Sequence, residues 1–392
     1  MKKVLFVTYD FPFPITSGGK NRAYNLLKNT AQKAEIFLYS FVREDFFPDF
    51  IPEIESSGVK QVFVHKRKKL GTFSNIPQTI LKNCSIFKAL YYDRKVASEL
   101  KKIIQDNHID IIHFESSYTG FYINSPLSKM RVKTVLGMEN IEFKLYQDFA
   151  KTQKLYIRPF ISYQANRLKK EELKMVKKAD SVVTVTKEES DILFSLTGKE
   201  SNVIANGIDP KMFSYQFNQK IQNNILFVGN FSYFPNVDAV NFFYKNVFEK
   251  LNKDITLTII GKKVKEKFKF NDKRIIMKDF VEDIVLEYRN ADVLIFPVRI
   301  GGGTNFKVLE AMSLGIPIVA YSNRMEGLRA VNEEHFLEAR SGDEYIEQIK
   351  RLYGDTKLRE TLTKNARYLI EKYYSWDNIG EELLNVWKKV LD

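Results

Sequence analysis

Cysteine is almost missing from this chain. Cys84 is the single one among 392 residues, which excludes an intrachain disulfide and any multi-cysteine metal site and fits a reducing cytosol. No run approaches the roughly 18 uninterrupted apolar residues that a membrane span needs. The opening MKKVLFVTYD carries two lysines and an apolar stretch that Asp10 ends early. A secretory signal needs about 7–15 apolar residues, so this stretch reads as a first β-strand. No G-x-G-x-x-G follows that strand, which disfavours a dinucleotide-dependent oxidoreductase. Solenoid repeats and low-complexity tracts are also absent.

Positive charge is plentiful. The net charge is +13, and it is lopsided: residues 1–200 hold 33 basic and 22 acidic side chains, a net of +11, which leaves +2 for the other 192. Local clusters occur at His65-Lys66-Arg67-Lys68-Lys69 and between Lys151 and Lys178, the latter interleaved with Tyr156, Phe160 and Tyr163. An anionic membrane surface is the expected partner of this basic N-terminal half. No nucleic-acid-binding module accompanies the charge, so nucleic acid is not expected as a partner.

Short β-branched runs alternate with longer amphipathic stretches, the pattern of parallel sheets covered by helices. In the first half, strands are predicted at Val4–Thr8, Ala34–Ser40, Val62–Val64, Ile109–Phe114, Lys133–Met138 and Ser181–Thr186. Helices are predicted there at Asn21–Ala31, Arg94–Gln105, Ser162–Lys178 and Lys187–Phe194. The second half offers strands at Asn224–Val228, Thr256–Ile260, Arg274–Met277, Val293–Phe296 and Ile318–Ala320, with helices including Asp238–Leu251, Ile284–Asn290 and Asn305–Leu314. Two such series predict two doubly wound, Rossmann-like domains, 1–204 and 205–372, with turn punctuation at Asn206-Gly207 and Asp209-Pro210. A closing helix, 373–392, is expected to cap one of them, crossing back to the first. Open sheets bind ligands at the carboxyl ends of their strands.

The most informative stretch is ADVLIFPVRIGGGTNFKVLEAMSLGIPIVA, residues 291–320. A strand runs into three glycines and then into a helix expected to begin near Thr304 or Asn305. Glycines admit close backbone approach, and a helix start offers free N–H groups and a positive dipole end, suited to a diphosphate. Glu310 lies one turn after Lys307 on the same rim, where a carboxylate suits paired ribose hydroxyls.

With those residues in hand, LEAMSLGIPIVA resembles the donor-site signature of the family 4 glycosyltransferases, which have the GT-B fold of two Rossmann-like domains facing across a cleft. Residues 225–240, 279–297 and the SVVTVTKEE and NVIANGID segments resemble further parts of that family in order. The resemblance implies retaining transfer of a sugar from a nucleotide diphosphate sugar, with the donor in the C-terminal domain and a carbohydrate or lipid-linked acceptor in the N-terminal one. It implies no cofactor and no metal, in keeping with the lack of a convincing Asp-x-Asp pair. It places Glu310, Arg299, Lys307, Thr304, Asn305, Asn230, Phe280 and Val281 at the donor. There are departures. The family's first glutamate falls at Gly302, so a backbone contact from Gly302 or Gly303 must replace it. Asn230 stands where an arginine is usual, and Pro235-Asn236 where a lysine is expected. Arg299 and Lys307 are the expected substitutes, as in a subgroup with a Gly-Gly-Thr-x-x-Lys loop.

A second constellation, YDFPFPITSGGKNRAYNLL, follows the first strand. The resemblance implies that its Gly18 and Gly19 lie beside the donor phosphate and acceptor, where their N–H groups stabilise developing negative charge, with Lys20 and Arg22 adding positive charge. In GMENIEF, Glu139 is the expected catalytic carboxylate, polarising the acceptor hydroxyl or supporting an oxocarbenium-like sugar. Asn140 follows it, and Glu142 is the weaker second candidate. His113 and Glu115 end a strand and are expected near the acceptor. The expectation is a cytoplasmic transferase, peripheral on the inner face of the cell membrane, acting in surface polysaccharide or glycolipid assembly. A nucleotide-sugar epimerase and a catalytically silent partner subunit are the alternatives.

Overall fold

A computed structural model of the chain describes residues 1–43, 46–67, 79, 83–125, 127, 130–151, 153–299, 306–321, 325 and 327–392. The chain divides into two compact units, Met1–Ala205 with Trp376–Asp392, and Asn206–Ser375. Each is built on one parallel sheet.

In the first unit the strands are β1 (Lys3–Thr8), β2 (Glu35–Val42), β3 (Gln61–Lys66), β4 (Ile111–Glu115), β5 (Lys133–Met138), β6 (Ser181–Thr184) and β7 (Asn202–Val203), in the order β3-β2-β1-β4-β5-β6-β7. Helices cover both faces, so the central strands are apolar on both sides: Val4 to Val7 of β1 are wholly buried. The order reverses between β1 and β4, and the register sets Thr8 beside Glu115 and Glu115 beside Gly137. Three strands thus end level, at the topological switch point where such sheets bind ligands. The basic segment Lys68–Lys69 lies outside the described residues.

The second unit has β8 (Asn224–Val228), β9 (Thr256–Ile260), β10 (Ile275–Lys278), β11 (Val293–Phe296), β12 (Ile318–Tyr321) and β13 (Leu337–Ala339), in the order β10-β9-β8-β11-β12-β13. Its switch point lies between β8 and β11. Arg367 knits the unit together by donating to the carbonyls of Phe213 and Ser313, at 2.7 and 2.9 Å, from the helix Thr356–Tyr373.

Three helices start earlier than the apolar spacing predicts. Gly18–Thr30 is one, and the others, Phe234–Asn246 and Arg158–Lys178, each have a proline in the first turn. Proline lacks only an N–H that would be unpaired there anyway. A helix at Glu142–Lys151 was not apparent from the spacing. The closing helix Trp376–Leu391 buries Trp376, Ile379, Leu383, Val386 and Trp387, a stripe of helical period, and belongs to the first unit, where it packs on the helix Gly18–Thr30.

Candidate functional site

In the first unit, chemistry gathers where β1, β4 and β5 end. Glu115 closes β4 and is 1% exposed. It accepts from Arg22 Nε at 2.7 Å and from His113 Nε2 at 2.7 Å. Arg22, also buried, donates from Nη1 to the carbonyls of Ile204 and Ala205, both at 3.0 Å. His113 stacks on Phe6 at 4.5 Å and accepts at Nδ1 from the Trp387 indole N–H at 3.1 Å. An N–H aimed at Nδ1 places the ring proton on Nε2, which therefore donates to Glu115. Burial alone would raise the Glu115 carboxyl, but Arg22 and His113 outweigh it and hold it near a pKa of about 2.

Glu139, one residue past β5, is the opposite case. Burial, then the Glu115 charge beside it, pushes its carboxyl up to about 8, against the pull of Arg22. The carboxyl is bonded to the Tyr9 hydroxyl. Both groups stand over Gly19, where a Cβ would lie 2.6 Å from Tyr9 Oη and 2.8 Å from Glu139 Oε2. Gly137 is required in the same way, because a Cβ there would lie 2.6 Å from Glu115 Oε2. Ser17 caps the helix Gly18–Thr30 by accepting from Lys20 N, and the N–H groups of Gly18 and Gly19 have no partner within the helix.

Thr8, Tyr9, Asp10, Gly19, Lys20, Ala23, Glu115 and Glu139 line one small cavity. Of the residues singled out from sequence, Gly19, Lys20, Glu115 and Glu139 are therefore together. Gly18 is exposed at the helix start. Arg22 and His113 lie behind Glu115. Asn140 bonds Glu142, whose carboxyl is raised to about 7 by burial and accepts from Tyr118 at 2.8 Å.

In the second unit the cluster forms where β8 and β11 end. Lys307, in the first turn of the helix Phe306–Leu314, donates to Asn236 Oδ1 at 2.9 Å and lies 4.7 and 5.4 Å from the ring centres of Phe227 and Phe296. Burial lowers its ammonium to about 7, although the Glu310 charge opposes this. Glu310 is raised by burial and accepts at Oε2 from the wholly buried Tyr288, at 2.7 Å. Its Oε1 has no protein hydrogen bond among the described residues. Asn236 in turn donates to the Asn230 carbonyl at 2.9 Å, while Asn230 Oδ1 accepts from Ser232 N.

Arg299 is held by a two-pronged pair with Asp238, at 2.8 and 3.1 Å, over the Phe242 ring. Phe280 is 81% exposed and Val281 half-buried, just after β10. Gly302, Gly303, Thr304 and Asn305 lie outside the described residues. Among the described residues no cluster of ligating side chains could hold a metal ion.

Sequence reasoning did not single out Tyr9, Tyr288, Asp238 or Trp387. Tyr9 directly follows a predicted strand end, so the rule applied to His113 would have found it. The other three meet their partners only through tertiary packing.

Two parallel-sheet domains with ligand-binding strand ends define the GT-B architecture, and solved structures agree over essentially the whole chain. Sucrose-phosphate synthase from Thermosynechococcus elongatus superposes with a TM-score of 0.73 at 15% identity, covering 100% of this chain and 99% of that one. HepE from Anabaena, in complex with UDP-glucose, gives 0.67 at 13% identity over 99% and 100%. The family described as Glycosyltransferase Family 4 matches residues 17–212, and that described as Glycosyl transferases group 1 matches 222–355. This chain belongs to the family 4 glycosyltransferases. An uncharacterized glycosyltransferase of Methanocaldococcus jannaschii is 26% identical over 250 residues, 54% of this chain and 60% of its own length. The capsular polysaccharide biosynthesis glycosyltransferase CapM of Staphylococcus aureus is 29% identical over 119 residues, 30% of this chain and 31% of its own.

Proposed function

We propose that this glycosyltransferase moves a sugar from a nucleoside diphosphate donor to an acceptor hydroxyl, with retention and without a metal, in surface polysaccharide or glycolipid assembly. The observation that carries the donor reading is Glu310. Tyr288 fixes one carboxylate oxygen, and Oε1 is left for a ribose hydroxyl. Lys307, one turn earlier, supplies a cation for the diphosphate, in place of the arginine and lysine of the family pattern, where Asn230 and Pro235-Asn236 stand in this sequence. HepE was solved with UDP and with UDP-glucose, which makes UDP-glucose the first donor to try. CapM's part in capsular polysaccharide biosynthesis supports the pathway class.

On the acceptor side Glu139 is the group that moves a proton. With its carboxyl near 8, it exchanges protons easily near neutral pH, as a group receiving the acceptor hydroxyl's proton must. Gly18 and Gly19 present N–H groups, and Lys20 a cation, to negative charge that develops beside Glu139. Arg22 and His113 are buried behind Glu115, which lines the same cavity as Glu139, and the three position Glu139. Attachment to the inner face of the membrane would bring a lipid-linked acceptor within reach.

The test is a panel of UDP-, GDP- and other nucleotide sugars, read by release of free nucleoside diphosphate and by calorimetry. One donor should bind and turn over, and Glu310→Ala should weaken its binding by about 100-fold, the loss of a paired charged hydrogen bond. Unchanged affinity in that variant would remove the ribose assignment. No nucleotide binding at all would remove the transferase mechanism proposed here.

A further inference from the structure

We infer that the tip of the helical hairpin formed by Glu142–Lys151 and Arg158–Lys178 is a docking element for an anionic lipid bilayer. This deepens the reading of a lipid-linked acceptor, and it stands on separate observations. The two helices pack on each other, and the longer one buries Gln164, Ala165, Leu168, Glu172, Met175 and Val176. Its core-facing side is therefore occupied from Gln164 onward. Before that point the hairpin stands out: every residue from Lys154 to Phe160 is exposed. Leu155 is 83% exposed and Tyr156 75%, and Ile157, Phe160 and Tyr163 are exposed to 37%, 43% and 40%. Exposed hydrophobics elsewhere stand singly, such as Met212 and Tyr368, or in pairs, such as Tyr233 and Phe234, which is ordinary for a protein surface. A group of five within nine residues is a patch with a purpose.

The charges around the patch choose its occupant. Residues 151–170 contain six Lys or Arg and no Asp or Glu. Lys154 lies 5.9 Å from the Tyr156 ring centre, and Arg167 lies 5.1 Å from that of Tyr163, so cation and ring sit side by side. At an anionic interface the rings and aliphatic chains enter the headgroup boundary while the ammonium and guanidinium groups remain among phosphates. A second copy of this chain would bring like charge against the patch. Aliphatic Leu155 and Ile157 at the apex suit acyl chains better than nucleic-acid bases. Among the described residues no helix is long and apolar enough to cross a membrane, so any attachment through this tip is peripheral.

The full-length protein should float with vesicles containing phosphatidylglycerol, and not with pure phosphatidylcholine, at low salt. Leu155→Ser with Tyr156→Ser should lower partitioning at least tenfold. Lys154→Gln with Arg158→Gln should lower it about fivefold per cation and flatten its salt dependence. All these side chains are exposed, so unfolding should not confuse the result, and equal melting temperatures check it. Failure of the parent to float, or a Leu155/Tyr156 variant that floats like the parent, overturns the proposal. So does loss in that variant of self-association or of nucleic-acid binding with flotation unchanged. Donor turnover without lipid should be unaltered in both variants. Flotation without turnover would leave this inference standing and remove the transfer mechanism.

Discussion

The two sheets end in clusters that pose opposite electrostatic problems. Where β1, β4 and β5 end, carboxylates crowd: Glu115, Glu139 and Glu142 lie close together, with Arg22 as the buried cation among them. One carboxyl is driven down to about 2 by Arg22 and His113, against its burial, and its charge helps drive its neighbour up to about 8. Where β8 and β11 end, a cation is lodged among aromatic rings, and burial brings it down to about 7 while its carboxylate partner is raised. The first cluster suits moving a proton, and the second suits receiving an anion. Like folds acquire unlike tasks because different residues stand at and past their strand ends.

The comparison is broken most severely at Arg22. Arg22→Ala leaves Glu115 buried without its guanidinium partner, and stranding a buried charge costs about 3–5 kcal/mol. The melting temperature of the first unit should fall by roughly 10 °C, and Arg22→Met with Glu115→Leu should recover most of it. Recovery of none would mean that the pair does not set the local stability.

Next is Glu139→Gln, expected to lower kcat about 100-fold while leaving donor affinity within about twofold. The parent rate should rise with pH through about 8, because the carboxylate form accepts the proton. The variant should lose that limb. A variant with the parent's pH profile would move the proton-accepting role elsewhere.

Lys307 gives the reverse slope. Donor affinity of the parent should fall as pH rises through about 7, where the ammonium loses its proton in the free enzyme. Lys307→Met should bind about tenfold more weakly at pH 6.5 and change little up to pH 8.5, by calorimetry. The two opposed slopes, one from each unit, predict a rate that peaks between them.

Much of this was legible beforehand, and for a physical reason. Strand ends such as Glu115 and Glu139, and the helix pair Lys307 and Glu310, follow from periodicity within one element. What resisted were partnerships across elements. Nothing local tells that Tyr288 aims its hydroxyl at Glu310, or that Asp238 takes the guanidinium of Arg299. Asn236 looked like the loss of a lysine, yet its side chain joins Lys307 to the Asn230 carbonyl. A polar residue that replaces a charged one within a family pattern can thus be the holder of a relocated charge.

Trp387 is the subtlest of these, and its prediction the smallest in effect. It lies more than 270 positions from His113 along the chain, yet the closing helix brings its indole N–H to Nδ1. A donor facing Nδ1 fixes the ring and turns Nε2 toward Glu115, whose charge lies beside Glu139. Trp387→Phe preserves the ring but deletes the donor, at a cost of about 1 kcal/mol in stability. The His113 ring is then free to turn, which loosens the hydrogen bond that helps to neutralise Glu115. With more uncompensated negative charge beside it, Glu139 should ionise less easily, so the rising limb of the rate profile should move to higher pH by somewhat less than about one pH unit. A merely structural tryptophan would lower the melting temperature and leave that limb in place.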